Sequence, residues 1–334
     1  MVNQSIMDRG EFTQEDLKKL AAQCIGHVRV PDKFRIITDT SNFFSVDFND
    51  ILVLDGNPYL IRNYEREGRF GIEDQPKYWV KRAIELTTGK LKVIKMVFPE
   101  KFTARIGDLT FDCVRSPKKE ARILELVRGH RNFMQGMSTK DSAGNIIRII
   151  DYIRGSTMAD YVLTLGNDHY EYFFEFFPPL LNDYIDLVKA IQFLHNSGEK
   201  HGDIRRDHII RSKHDSSYCW IDFDFNYWHQ ENMFTYDMFG LGNILIYLVG
   251  RGDVTSQHLR KSSTSVFDQL ITGDLNIVFN NRVANLQKVY PYIPDVLNNI
   301  LLHFSFSADT FYDDTDQFLS DLEEAKTYIN TFTK

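Results

Sequence analysis

The chain has 334 residues, 43% of them apolar and 25% charged, with a formal charge of −7. It can bury one large core or two modest ones, and its acidic balance excludes a general affinity for nucleic acid or anionic membrane, leaving only a local basic cleft open. Three scattered cysteines (Cys24, Cys113, Cys219) with no Cys-x-x-Cys pair exclude a disulfide framework and a zinc site, and point to a reducing compartment.

The N-terminal stretch MVNQSIMDRGEF has no apolar leader, and the longest apolar run, Phe239 to Gly250, is too short for a membrane span, so the expected setting is cytoplasmic. Residues 1 to about 50 read as an extension, in which Thr13-Gln14-Glu15-Asp16 forms a capping box for a short helix through Cys24. FRIITDT and ILVLDGNPYLI then read as strands, with Asp55-Gly56 as a hairpin turn. YLIRNYERE, WVKRAIEL and LKVIKMVF continue the extended pattern.

SPKKEARILELVRGH carries a proline near its start, a glycine near its end and the apolar spacing Ile123, Leu124, Val127, which predicts a helix. NFMQGMS and NIIRIIDYI return to strand around a turn at Ser142-Ala143-Gly144. After Gly155 the chain turns helical, in YIDLVKAIQFLHNSG, YDMFGLGNILIYLVG, IPDVLNNILLHF and DQFLSDLEEAKTYI. YDMFGLGNILIYLVG is apolar all round, so it predicts a central buried helix. The expected fold is α+β in two lobes: an extension over 1–50, a β-rich N-lobe with one helix over 51–154, and a larger helical C-lobe over 155–334.

Phosphoryl transfer from ATP needs a lysine on a strand, a carboxylate to orient it, a carboxylate at the acceptor hydroxyl and another for magnesium. Lys95 in VIKM, Glu120 at the start of the next helix, Asp203 in KHGDIRRDHII and Asp222 in CWIDFDFNY supply these types in that order. VIKM resembles the kinase strand motif Val-Ala-Ile-Lys, and KKEARILELVRGHRNF resembles the helix with its partner glutamate. AIQFLHNSGEKHGDIRRDHII is similar to the catalytic loop, IDFDF to Asp-Phe-Gly, and YDMFGLGNILIYLVG to a buried kinase helix that opens on an aspartate, here Asp237.

Over roughly residues 59 to 325 the chain thus resembles the eukaryotic-type (bacterial Ser/Thr) protein kinase superfamily. That resemblance implies ATP with Mg²⁺ or Mn²⁺ as cofactors. It implies Lys95 on the phosphates with Glu120 orienting it, and Asp222 on the metal. Asp203 would stand at the acceptor hydroxyl and Arg205 would neutralise the transferring phosphate. Ile150 takes the gatekeeper place, Asp151, Tyr152 and Ile153 run along the adenine edge, and Val93 and Ile210 sandwich the base. His201, Phe223, Leu124 and Asp237 fall among the packed residues that join the lobes.

The departures are as informative. Arg66-Glu67-Gly68-Arg69-Phe70-Gly71 holds two glycines of a Gly-rich loop, Gly68 and Gly71, and reads either as a phosphate cover or as an ordinary turn. Gly202 replaces the catalytic-loop arginine, and His-Gly-Asp also resembles small-molecule kinases such as aminoglycoside phosphotransferases. Asp237 follows Asp222 by only 15 positions, with no Ala-Pro-Glu between, and Phe311 stands where an arginine partners that glutamate. Both halves of one buried ion pair are absent together, as the cost of a lone buried charge requires.

His208 occupies the place of a metal-binding asparagine. It is open to three roles: a metal ligand with altered preference, a hydrogen-bonding partner that shapes the loop at Asp203, or the mark of a site without transfer. Asp224, where glycine is usual, lends the metal an oxygen or caps the shortened loop. The expected function is ATP-dependent transfer to a Ser/Thr hydroxyl of a protein. The alternatives are transfer to a small-molecule hydroxyl, or a pseudokinase serving as a binding module.

Overall fold

The structure, a computed structural model, describes residues 12–24, 34–69, 72–228 and 233–332. The protein is of mixed α+β type and divides into two compact units, one β-rich and one largely helical.

The first unit takes 1–99, 116–129 and 134–153. Helix α1 (Gln14–Cys24) opens as the capping box requires: the Asp16 N–H donates to Thr13 Oγ1 at 3.2 Å, and the Thr13 N–H donates to Asp16 Oδ2 at 3.1 Å. A seven-stranded sheet follows, in the order β1-β2-β3-β4-β5-β9-β8. Its strands are β1 (Ile36–Ile37), β2 (Ile51–Leu54), β3 (Asn57–Arg69), β4 (Ile72–Glu85), β5 (Leu91–Lys95), β8 (Gly136–Lys140) and β9 (Ile146–Asp151). β1 pairs parallel to β2 and every other neighbour is antiparallel. Only two residues of FRIITDT are in β1; beyond it, Thr40 gives its N–H and hydroxyl to the buried Asp141 carboxylate, both at 2.7 Å.

The β2–β3 turn is Asp55-Gly56, at φ 47° and 69°, the doubly left-handed geometry that a two-residue hairpin selects. Strand alternation then feeds two cores. Leu52, Leu54, Tyr59 and Ile61 pack with Trp79, Val80 and Ile94 on one face. Ile51 and Leu60 meet Leu17, Leu20 and Ala21 of α1 on the other. Helix α1 is therefore built into this unit. Without α1, one sheet face would lie bare to water.

Helix α2 (Pro117–Leu126) is capped by Ser116, whose hydroxyl accepts the Lys119 N–H at 3.2 Å, and Pro117 occupies the first turn, where its missing N–H costs nothing. Its buried side holds Glu120, Ile123 and Leu124.

The second unit takes 100–115, 130–133 and 154–334. The long helix α3 (Phe177–Asn196) and the all-round buried α4 (Thr235–Val249) form its core, with α5 (Asp295–Leu302) and α6 (Thr315–Phe332). Close approach to α4 depends on two glycines. A Cβ on Gly240 would come within 2.6 Å of Ile204, and one on Gly242 within 2.3 Å of Phe304. Gly240 thus lets the loop around Asp203 lie against the helix.

A hairpin absent from the sequence reading adds strands β6 (Lys101–Ile106) and β7 (Leu109–Arg115). Its register pairs Ile106 with Leu109 across Gly107-Asp108, with Gly107 at φ 55°. β7 pairs with β13 (Phe225–Trp228), which directly follows Asp222-Phe223-Asp224. A third sheet joins β10 (Gly155–Thr157), β11 (Ile209–Ser212) and β12 (Tyr218–Trp220). Among the described residues, no helix is long and apolar enough to cross a membrane.

Candidate functional site

In the first unit, β5 ends on Lys95, which pairs in register with Arg148 of β9. Lys95 is 4% exposed, and Glu120 and Arg148 are both fully buried. Lys95 Nζ donates to Glu120 Oε1 at 2.7 Å, and Arg148 Nε donates to Glu120 Oε2 at 2.9 Å. The second cation is anchored in turn by bonds to the Ile146 and Met96 carbonyls, at 2.8 and 3.3 Å. One carboxylate therefore serves two cations in a dry environment, where geometry and hydrogen bonding must offset desolvation. The sequence reading names Lys95 and Glu120 and misses Arg148. Its signal was present: an arginine inside Ile-Ile-Arg-Ile-Ile must find a partner if the strand is buried.

The residues assigned to adenine also have defined places. Val93 of β5 lies opposite the buried Ile150 of β9. The exposed Asp151 carboxylate accepts from Lys92 Nζ at 2.6 Å, so it serves an ion pair at the strand edge. Tyr152 donates its N–H to the Leu91 carbonyl at 3.3 Å, its ring lies under Arg82, and Ile153 follows as the last residue of this unit's third segment. Gly68 belongs to strand β3; Gly71 lies outside the described residues. Ile210 is on β11 of the second unit, paired with Thr157 and Cys219.

In the second unit the segment around Asp203 hangs from one buried carboxylate. Asp237, in the first turn of α4, accepts the N–H groups of His201 at 2.7 Å and Gly202 at 2.8 Å, and lies 3.1 Å from His195 Nε2. Gly202 sits at φ 85°, so the tight turn into Asp203 uses glycine's freedom. Asp237, read from the sequence as a packed connector, is here the residue that fixes the loop. The buried His201 ring packs edge-on against Trp220 and Phe223.

Asp203 is half-buried, with Arg205 Nε 3.7 Å from its Oδ1. His208 Nδ1 lies 2.8 Å from the Asp203 carbonyl oxygen, while Arg205 Nη2 lies 2.9 Å from His208 Nε2. A guanidinium can only donate and a carbonyl can only accept, so these two contacts suit an imidazole with a proton on Nδ1 and a lone pair on Nε2. Its Nε2 lone pair, the atom nearest Asp222 Oδ2 at 3.8 Å, is already directed at Arg205. Both ring nitrogens thus make contacts within the loop, as the loop-shaping reading asks.

Asp222 has φ 62°, a left-handed backbone that an aspartate tolerates at some cost and that tends to occur at functional positions. Its carboxylate is the hard oxygen donor a magnesium ion prefers, whereas the His208 nitrogen is both softer and engaged.

Asp224 is fully buried and accepts from Arg115 Nη1 of β7 at 2.5 Å; Arg115 Nη2 also reaches Glu100 at 3.0 Å. Burial opposes the charge on Arg115, but the carboxylates of Asp224 and Asp222 more than offset this and hold its pKa above the ordinary value. The buried Asp224 carboxylate is thus supplied with a cation by the β6–β7 hairpin. On strand β7, burial pushes the Cys113 thiol up to about 11, which disfavours its thiolate form.

The Arg115–Asp224 pair makes a prediction. Arg115→Met leaves a buried carboxylate without this partner and should cost ~3–5 kcal/mol. Arg115→Met combined with Asp224→Gly should regain at least half of that in thermal melts. A double variant no more stable than the single would show that the pair is not what holds the segment.

The chain matches no family model, and no curated protein is significantly similar to it.

Proposed function

We propose that the protein is an ATP-dependent phosphotransferase of protein-kinase-like type, acting on a hydroxyl. The observation that carries this reading is the buried Lys95–Glu120 pair at 2.7 Å, formed between the strand lysine and the helix carboxylate expected to orient it. Two further arrangements support it. The run β3-β4-β5-β9-β8 within the first sheet places the lysine strand centrally beside the strand that leads out of this unit, and Asp237 holds the backbone before Asp203.

In this reading Lys95 holds phosphates, with Glu120 setting its direction. Asp222 is the magnesium ligand, and a bound Mg²⁺ supplies charge neutralisation across the phosphates. Asp203 orients the acceptor hydroxyl and takes its proton. Arg205 offsets the charge that develops during transfer. His208 keeps the loop and Arg205 in register.

One observation favours a small acceptor over a protein Ser/Thr side chain. Ile106, at the end of β6, forms part of the wall of a cavity of about 270 Å³ that Asp203 also lines. In this reading the β6–β7 hairpin walls off the space at Asp203 and leaves room for a compact acceptor.

The direct test is a thermal melt with ATP, with and without Mg²⁺. Nucleotide at about a hundredfold over its dissociation constant stabilises by ~2.7 kcal/mol, which should raise the melting temperature by at least ~2 °C. The shift should require metal and shrink in Asp222→Asn. An unchanged melt under every condition would remove the phosphotransferase reading.

A further inference from the structure

The cavity beside Asp203 lies wholly within the second unit. Its wall combines an apolar part, including Ile106, Tyr236 and Phe279, with three arginines, Arg205, Arg206 and Arg282. The hairpin that supplies Ile106 is seated, since a Cβ on Gly107 would meet Ile277 at 3.4 Å, an ordinary packing distance. At roughly 30 Å³ per water, the space takes a compact ligand and falls below the usual range for drug-sized ones.

The charge is divided along the cavity. Arg206 Nη1 and Arg282 Nε both pair with Asp253, at 2.7 and 3.2 Å, so two guanidinium groups share one carboxylate and leave one positive charge in excess. Each arginine is also held against an aromatic ring, Arg206 over Tyr247 and Arg282 over Phe279, which fixes the planes of both forks. Burial depresses the Arg282 pKa; Asp253 opposes that and the neighbouring Arg206 adds to it, so an arriving anion would relieve a crowded cation. Asp207, the other acidic residue of the lining, is paired with Arg205 at 2.9 Å. Asp203 supplies the opposite sign elsewhere on the wall.

We infer that this cavity takes a small hydroxylated molecule bearing a carboxylate or a phosphate, its anion held by Arg206 and Arg282 and its hydroxyl presented to Asp203. Planar, paired guanidinium forks suit both oxyanions, and the two aromatic platforms keep them preorganised. The inference rests on the phosphotransferase reading for its chemistry. The acceptor oxygen forms a new bond to the γ-phosphorus of ATP as the β–γ bridging P–O bond breaks. ADP departs with that electron pair, and the hydroxyl proton passes to Asp203.

The test is calorimetric titration of the full-length protein with sn-glycerol 3-phosphate, D-glycerate and uncharged glycerol, beside the Mg-ATP melt. Both anions should bind at least tenfold more tightly than glycerol. Arg282→Gln should weaken both at least tenfold and leave the Mg-ATP shift in place, and Arg206→Gln provides the same reading where the first variant folds poorly. Anions that bind no better than glycerol, or equally well to both variants, would overturn the inference. An acidic seryl peptide that competes on equal terms would overturn the small acceptor in favour of a polypeptide. Loss of the Mg-ATP shift alone, with arginine-dependent anion binding intact, would remove the phosphotransferase reading and still support the anion site.

Discussion

Asp203→Asn is expected to reduce phosphoryl transfer by about 10²–10⁴-fold, the range associated with loss of a positioned general base, while Mg-ATP still stabilises the protein. Asparagine has nearly the shape of aspartate, so the loop should keep its form. The backbone bonds that set that form come from elsewhere: Asp237 holds the His201 and Gly202 N–H groups, and His208 Nδ1 lies 2.8 Å from the Asp203 backbone carbonyl against 3.6 Å from its carboxylate. What the variant loses is a group that can accept the hydroxyl proton. Arg205 should stay in position, because its Nη2 is held by Asp207 and His208. The check pairs turnover of ATP in the presence of an acceptor with the melting shift. Turnover within tenfold of the wild type would mean that Asp203 does not carry the proton. A lost Mg-ATP shift would mean that it serves binding instead.

The largest effect on stability is expected at Glu120. Glu120→Gln keeps the side-chain volume and removes the one charge that Lys95 and Arg148 share. Breaking a buried ion pair from one side typically costs ~3–5 kcal/mol. Arg148 is fully buried on β9 and cannot turn to water, since neighbouring strands hold it on both sides. Glu120→Gln with Arg148→Met removes one cation along with the anion and should recover a large part of the loss, giving a coupling energy of the kind expected for groups in direct contact. Denaturant melts of the four proteins measure it. A single-variant cost under ~1 kcal/mol would show that the triad is worth no more than a surface pair. The same substitution should also lower turnover, because Lys95 would lose the partner that aims it.

These predictions and the one at Arg115 concern buried charges, and they differ in what the sequence reveals. Glu120 and Lys95 are legible as a pair because a strand lysine and a helix-start carboxylate are each placed by local pattern. Arg148 is visible only as an anomaly in an apolar strand. Arg115 gives no such hint: FDCVRSP sets it before a helix cap, and its partner Asp224 lies over a hundred residues away. The hairpin it belongs to was within reach, since Phe102, Ala104 and Ile106 alternate before Gly107-Asp108, and Leu109, Phe111 and Cys113 alternate after it.

His208 shows the same division. The residue type admits a metal ligand, a loop partner or a lost function, and one sequence cannot rank them by geometry. The packing of Arg205 against Nε2 and the Asp203 carbonyl against Nδ1 fills both ring positions.

Asp253 follows helix α4 in a run that no local pattern marks. Folding makes Asp253 the carboxylate that gathers Arg206 and Arg282, which lie far from each other in the chain.

Element type, the caps and turns, the apolar faces and the order of the chemical groups were all readable in the linear chain. Each depends on neighbours within a few residues, where the periods of helix and strand and the freedom of glycine operate directly. Which carboxylate meets which cation was decided by the tertiary structure alone. Long-range ion pairs follow from how sheets and helices stack, and burial makes those few contacts energetically decisive while leaving almost no trace in local sequence.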